Sequence, residues 1–154
     1  MTYGDTPYKM AGIKKEDEYL SILNESFKSV NIILIKSSLE ENKKQKVDYW
    51  GLIDGRRKYA FDLKTAINPA KKFNLTYKMN KTNENVFEVG EKNCISIFLL
   101  EHINSYALIW KKDIFQWFKK NNPKLNPGKR DNSNYFEFPT EEIMKLAFKI
   151  KQYK

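Results

Sequence analysis

The spacing of apolar positions along the chain changes several times, and each change marks an element. Ile13, Leu20, Leu23, Phe27 and Val30 recur at three- and four-residue intervals, which predicts a helix over Ile13–Val30 with one buried face. Val30–Lys36 (VNIILIK) is a near-continuous apolar run suited to a buried strand, and the polar, lysine-containing Ser37–Gln45 that follows reads as a loop. Two β-prone runs, Val47–Ile53 and Tyr59–Lys64, then flank Asp54-Gly55-Arg56-Arg57, and Asp-Gly between such runs is a strong hairpin signal. Asn68-Pro69 is a breaker. Lys71–Lys92 has no strong helical period: Phe73–Met79 alternates weakly, Asn85–Val89 fits a strand, and a basic, Asn-rich clamp loop is the alternative. Cys94–Glu101 and Ser105–Trp110 predict two strands joined at His102-Ile103-Asn104. Helical spacing returns in Lys112–Asn121. Asn122–Ser133 reads as a loop, Tyr135–Phe138 as a short strand, and Pro139 to about Lys151 as a last helix. Thr140 would cap that helix, with Glu141 and Glu142 at its positive end and lysines at the other.

The hairpin carries the candidate chemistry. Alternate residues of a strand share a face, so Asp62 and Lys64 point one way while Tyr59, Phe61 and Leu63 point the other. An odd-numbered loop centred on Gly55 would set Asp48 directly opposite Asp62, about 4.5–5.5 Å away between Cβ atoms. An even loop would send the two acids to opposite faces unless a bulge corrects the register. Facing carboxylates repel, and an acid inside an apolar strand loses hydration. A divalent cation such as Mg²⁺, which takes oxygen ligands, would offset both costs. The plainer reading is a same-face ion pair between Asp62 and Lys64, with Asp48 an acid at a strand start. Composition alone supplies about three acid-x-Lys triplets, Glu41-Asn42-Lys43 among them, so context rather than the triplet separates Asp62-Leu63-Lys64.

Length and composition narrow the classes. At 154 residues, 41% of them hydrophobic and 14% aromatic, the chain is expected to be a single domain, 1–154, with a real core. Cys94 stands alone, which excludes a disulfide framework and a cysteine-rich zinc site and suits a reducing cytoplasm. It reads as a small buried residue beside Ile95 and Ile97. No apolar run approaches a membrane span, and no signal-peptide core is visible. The net charge of +9 fits a polyanionic partner, for which nucleic acid is the usual case, and fits equally a lysine-rich coding bias that aids solubility. Candidate phosphate contacts are Arg56 and Arg57 at the hairpin tip, Lys71, Lys72, Lys78 and Lys81, and Lys119, Lys120, Lys124, Lys129 and Arg130. Glu16 falls on the apolar stripe of the first helix where a core residue is expected, or else simply occupies the helix's first turn, where the dipole favours an acid. Trp117 and its aromatic neighbours follow helix periodicity and read as core. His102, with no Ser or Asp companion in a motif, argues against a hydrolase triad or a histidine metal site, and the lack of a Gly-rich phosphate loop excludes P-loop nucleotide hydrolysis.

Asp48, a hairpin, then Asp62-Leu63-Lys64 at the end of an apolar strand resembles the PD-(D/E)xK nuclease superfamily, with its restriction-endonuclease-like fold. The run from Lys46-Val47-Asp48 to Asp62-Leu63-Lys64 is particularly similar to archaeal-type Holliday junction resolvases, over about twenty residues. Lys46-Val47 departs from the proline that many members carry before the first aspartate. The resemblance implies an α/β (α+β) fold, a mixed β-sheet core flanked by helices that opens helix–strand–strand–strand. It implies a Mg²⁺-dependent endodeoxyribonuclease, with Mn²⁺ substituting, that hydrolyses DNA phosphodiester bonds. Asp48, Asp62 and the backbone carbonyl of Leu63 would hold the metal, Lys64 would position or deprotonate the attacking water, and Glu16 (or Glu18 in its place) would supply the helix carboxylate for a second metal or its water. A chain this short has little room for a separate recognition domain, which favours cutting of branched DNA or cutting as a homodimer, with no nucleotide cofactor and no membrane, in a bacterial or phage-infected cytoplasm. The alternatives are a non-catalytic nucleic-acid-binding or protein-inhibiting member of the same fold, and an interaction module whose charge is compositional.

Overall fold

A computed structural model describes residues 18–45, 47–79, 84–89, 93–127 and 133–153. The fold is mixed α/β, built on a mixed six-stranded sheet with helices against it. Helix α1 (18–27) ends in a 3₁₀ turn over Lys28–Val30 and leads through Asn31, in the left-handed region at φ 59°, into strand β1 (Ile33–Lys36). Then come helix α2 (Leu39–Gln45) and the hairpin of β2 (Tyr49–Ile53) and β3 (Arg56–Lys64). Strand β4 (Lys72–Met79), the two-residue β5 (Glu84–Asn85) and the short α3 (Val86–Val89) carry the chain across to β6 (Cys94–Leu100). Strand β7 (Ser105–Trp110), α4 (Lys111–Asn121), β8 (Asn126–Pro127), β9 (Asn134–Pro139), α5 (Thr140–Leu146) and β10 (Lys149–Gln152) complete it.

The main sheet has the order β1-β2-β3-β6-β7-β10 and a smaller one the order β5-β4-β9-β8. In the main sheet β3 and β6 run parallel and every other neighbouring pair is antiparallel. Parallel neighbours need a crossover, and here it runs through β4, β5 and α3, which contribute to the second sheet, instead of through a long helix. One face of the main sheet buries Phe61, Leu63, Ile95, Ile97 and Tyr106 under Leu23 and Phe27 of α1. The other buries Phe98, Leu100, Ala107 and Ile109 under Phe73 and Leu75 of β4, Phe136 and Phe138 of β9, and Ile114, Phe118 and Ile143 of α4 and α5. Trp117 packs edge-on to Phe138 at 4.8 Å between ring centres, as a core aromatic should.

Four sequence expectations change. The apolar run ending at Lys36 forms an edge strand, with Leu34 buried but Ile33 and Ile35 exposed, because no described residue covers its second face. Ser37–Gln45 is largely helical, not a loop. Ser38 Oγ accepts from the Glu41 amide (3.1 Å) while the Ser38 amide donates to Glu41 Oε1 (3.0 Å), a capping box that starts α2. The chain therefore opens helix–strand–helix–strand–strand. The last helix stops at Leu146, and Lys149–Gln152 pairs with β7 as the far edge of the main sheet, lysines at a sheet edge being a usual guard against further pairing. Thr140 is the first helical residue and its hydroxyl donates to the Pro69 carbonyl at 2.6 Å, which ties α5 to the start of β4 in place of capping its own helix.

Candidate functional site

The hairpin turn is Asp54-Gly55, with φ values of 52° and 77°, and Ile53 pairs with Arg56 across it. Both central residues in the left-handed region make a two-residue type I′ turn. The loop is thus even, and the odd-loop geometry does not occur. The register nevertheless shifts between Gly51 and Leu52: Leu52 pairs with Arg57, but Gly51 pairs with Tyr59, so Lys58 is the extra residue of a bulge. The close approach beside the bulge requires glycine, since a Cβ at position 51 would lie 2.7 Å from Phe61 Cε2. Beyond the shift Tyr49 pairs with Phe61, and continuing that register by one residue brings Asp48 across from Asp62. One extra residue in β3 puts the two acids on the same side.

Asp48 is held from three directions. Its amide donates to the Phe61 carbonyl at 2.8 Å and its own carbonyl accepts from the Ser37 amide at 2.9 Å. Its Oδ2 accepts from the Leu63 amide at 2.6 Å and its Oδ1 from Asn42 Nδ2 at 2.7 Å. Asn42 Nδ2 also reaches the Val47 carbonyl (3.2 Å), which accepts from the Ser37 hydroxyl as well. The capped helix α2 therefore exists next to the hairpin to present Asn42 to the first carboxylate. Asn42 lies within the triplet that composition marks as a decoy, and the signal for it was the Ser38-x-x-Glu41 capping pattern.

Asp62 is buried, and its Oδ2 accepts from Lys64 Nζ at 2.8 Å on the same face of β3. Its Oδ1 is fully enclosed and has no hydrogen-bond partner among the described residues, and the same holds for the hydroxyl of Ser96. These two residues pair across the parallel β3–β6 ladder. A buried orphan acceptor costs about 1–3 kcal/mol, and more when charged, so such a pair marks a place where something else is accommodated. Both line a cleft of about 280 Å³ between the two sheets, together with Asn42, Asp48, Lys64 and Lys111 on the polar side and Leu75, Val86, Phe87 and Ile114 on the apolar side.

The charges act on one another. Burial, and after it the nearby Asp62 carboxylate, pushes Asp48 from 3.8 up to about 6. Burial presses Lys64 downward, but the Asp62 and Asp48 carboxylates outweigh it, so its ammonium is held above the ordinary lysine value. Burial raises the Cys94 thiol well above its usual value, which keeps it neutral and agrees with its place as a small core residue.

The other sequence candidates lie elsewhere. Glu16 lies outside the described residues, as do Lys81, Lys129 and Arg130, while Glu18 is exposed on α1 and does not line the cleft. Arg57 pairs with Glu41 Oε2 at 2.7 Å and stacks over the Trp50 ring at 4.6 Å, and Arg56 is exposed at the turn. Five residues of strand, about 17 Å, separate Arg57 from Asp62. Lys71 and Lys72 are exposed at the start of β4, with Lys72 paired to Glu137 at 2.7 Å, and Lys78 lies near the other end of that strand. These five cations do not converge on the cleft. Asn42, Ser96 and Lys111, which do line it, carried no motif. Among the described residues no helix is long and apolar enough to cross a membrane, and no group of three or more His, Cys, Asp or Glu side chains could hold a metal. The described carboxylates of the cleft are two, Asp48 and Asp62. No family model matches the sequence, and no curated protein matches it either.

Proposed function

We propose that the protein is a metal-dependent nuclease with the restriction-endonuclease-like site that the sequence resembles, hydrolysing DNA phosphodiester bonds at the Asp48–Asp62–Lys64 cluster. The observation that carries the reading is the enclosed Oδ1 of Asp62, without a partner among the described residues, beside a second carboxylate whose proton affinity is raised by burial and then by the Asp62 charge. Two acids brought together by a bulge, when an even turn alone would part them, are a costly arrangement unless a cation joins them. The donor set suits a hard divalent ion: Asp48, Asp62 and the backbone carbonyl of Leu63 are oxygen ligands, and each Asp48 oxygen accepts one hydrogen bond and keeps a second lone pair. When bound, Mg²⁺ or Mn²⁺ supplies Lewis-acid polarisation of the phosphodiester and acidification of a water.

The chain's own groups do the rest. Lys64 is held by Asp62 next to the place where charge develops, so it orients the attacking water and neutralises the phosphorane. The Leu63 amide and Asn42 fix the Asp48 carboxylate, which keeps that ligand in one rotamer through the reaction. Leu75, Val86, Phe87 and Ile114 give the cleft an apolar part of its lining, which limits bulk water around the charges. Overall, water adds to phosphorus, one P–O ester bond breaks, and the leaving oxygen takes the proton that water gave up. The parallel β3–β6 pair and the antiparallel hairpin before it support the nuclease-like arrangement of the sheet. The β4–β5–α3 crossover is then this chain's departure from the helical connection of resolvase-like members.

The test is cleavage of plasmid, linear duplex, single-stranded and four-way-junction DNA with Mg²⁺ or Mn²⁺, with Asp62→Ala alongside. We expect metal-dependent cutting of at least one substrate, lowered on the order of 10³-fold or more in the variant while DNA affinity stays largely intact. Cutting that persists in the variant, or none on any substrate, defeats the reading.

A further inference from the structure

The acids of the cleft stand on a floor of β-sheet, and the chain builds a second layer over that floor. Asp62 and Ser96 alternate along β3 and β6 with Leu63 and Ile97, which pack under α1. They therefore point to the other face, the one that the second sheet covers, where Asp62 is 7% exposed and Ser96 1%. From the covering layer the cleft is lined by Leu75 and Thr76 of β4 and by Val86 and Phe87 of α3. All four belong to the crossover between β3 and β6, so the connection that replaces a long helix also covers the site. Phe87 is fixed in that lining. Its amide donates to Asn85 Oδ1 at 2.8 Å as α3 begins, and its ring stacks on Phe115 of α4 at 5.0 Å with 6° between the planes. The ring stays half-buried and reaches the cleft.

Size and lining together decide which form of DNA fits. Packed sheets stand about 10 Å apart, whereas the major groove of a duplex is by itself about 12 Å wide, so a duplex does not pass between the two layers. A cleft of about 280 Å³ is at the small end for ligand sites, the scale of one nucleotide. Leu75, Val86 and Phe87 have nothing to offer a phosphate. They suit the flat face of a base, but in a duplex those faces are stacked on neighbouring bases and only the edges show in the grooves. An apolar, partly aromatic lining beside a phosphodiester-cutting centre thus fits a base that is unpaired. The basic residues agree. Arg56, Arg57, Lys71, Lys72 and Lys78 do not line the cleft, and Arg57 and Lys72 are paired with Glu41 and Glu137, so these five form no track that leads two phosphate strands into it.

We propose that the substrate is unpaired DNA: one nucleotide of a single strand enters the cleft, with its phosphate at Asp48, Asp62 and Lys64 and its base against Val86 and Phe87. This rests on the nuclease reading for the cutting but not for the binding. It narrows the substrate from DNA in general to strands whose bases are free, and it gives the β4–β5–α3 crossover a task, which is to supply the surface that a free base meets.

The probe is a short oligodeoxynucleotide of mixed sequence, offered as a single strand, annealed to its complement, and assembled into a fully paired four-way junction. Affinity is measured by fluorescence anisotropy with Ca²⁺, amide chemical shifts are mapped with the single strand, and cleavage is followed with Mg²⁺ or Mn²⁺. The single strand should bind about tenfold or more tighter than the duplex and be cut in preference to it. The largest shifts should fall at Thr76, Val86 and Phe87. Phe87→Ala should weaken single-strand binding about tenfold and leave duplex binding unchanged, while Phe87→Tyr should keep most of the affinity. Should Phe87→Ala fail to fold, the wild-type strand preference and shift map decide the matter. A duplex or paired junction bound as tightly as the single strand, or shifts confined to residues outside the cleft, overturn the proposal; if those paired substrates are cut with metal and the cutting is lost in Asp62→Ala, the nuclease reading survives that result. Single-strand binding that maps to Val86 and Phe87 in a protein that cuts nothing upholds the single-strand site and removes the nuclease.

Discussion

Two ion pairs are anchored on strand β3, and they have opposite characters. At the turn end, Arg57 meets Glu41, whose other oxygen accepts from the Ser38 amide, while the guanidinium covers the Trp50 ring. The Ser38 amide first, and then Arg57, hold the Glu41 carboxyl below the ordinary glutamate range. At the other end Lys64 meets Asp62, whose second oxygen is enclosed with no described donor to accept from and whose charge adds to burial in raising the neighbouring Asp48. The first pair is complete and sits at the surface, and the second is incomplete and lines a cleft. An exposed pair with satisfied atoms belongs to the architecture. A buried one with an orphan atom and a second acid beside it is held for a task, because its local energy does not explain it.

The sharpest way to exploit the contrast is Asp48→Asn. It should abolish cleavage and, in the metal-free protein, remove a pH dependence of stability that the wild type has. The sign follows from the direction of the shift. A folded-state value near 6, above the ordinary 3.8, favours folding while the carboxyl is protonated, below about pH 4. That benefit is lost as pH rises through 6, so at pH 7 the charged group is a net cost of about 3 kcal/mol. Between pH 4 and pH 7 the wild type should therefore lose roughly 5–10 °C of melting temperature that the variant does not lose. Thermal melts of both proteins across that range check it; the same pH dependence in variant and wild type would contradict the raised carboxyl.

Next in size is Ser38→Ala, which removes the cap of α2. It should cost about 1 kcal/mol. Because α2 presents Asn42 to Asp48, it should also slow cleavage severalfold, which separates a helix that positions the site from one that merely fills space. Arg57→Met should do least: no change in cleavage, and a melting temperature within about 2 °C of the parent, since exposed pairs contribute little. A large loss of cleavage in that variant would reverse the assignment of the two pairs.

What sequence revealed of the site was its periodic part. Alternation set Asp62 and Lys64 on the face opposite Phe61 and Leu63, and Asp-Gly gave the turn. The bulge at Lys58 was not readable: nothing local distinguishes a residue that slips out of register, and the fault is settled by the packing of Gly51 on Phe61. The capping box of α2 is legible in Ser38-x-x-Glu41, although a short polar run otherwise resembles a loop. Lys149–Gln152 joined the sheet through pairing with Ser105–Leu108, a contact of more than forty residues' separation that overrode a local helical preference. Lys111 and Ser96 left no trace, since a buried lysine and an exposed one are the same letter and only the position of α4 after β7 turns this one inward.

The central claim is that Asp48 and Asp62 hold a divalent cation. Calorimetric titration of Mn²⁺ into the folded wild type and into folded Asp62→Asn, without DNA, tests it most directly. Saturable binding in the wild type that disappears or weakens by an order of magnitude in the variant is the predicted result. Equal binding in both, or none in either, would contradict the account and leave the cluster a structural set of charges.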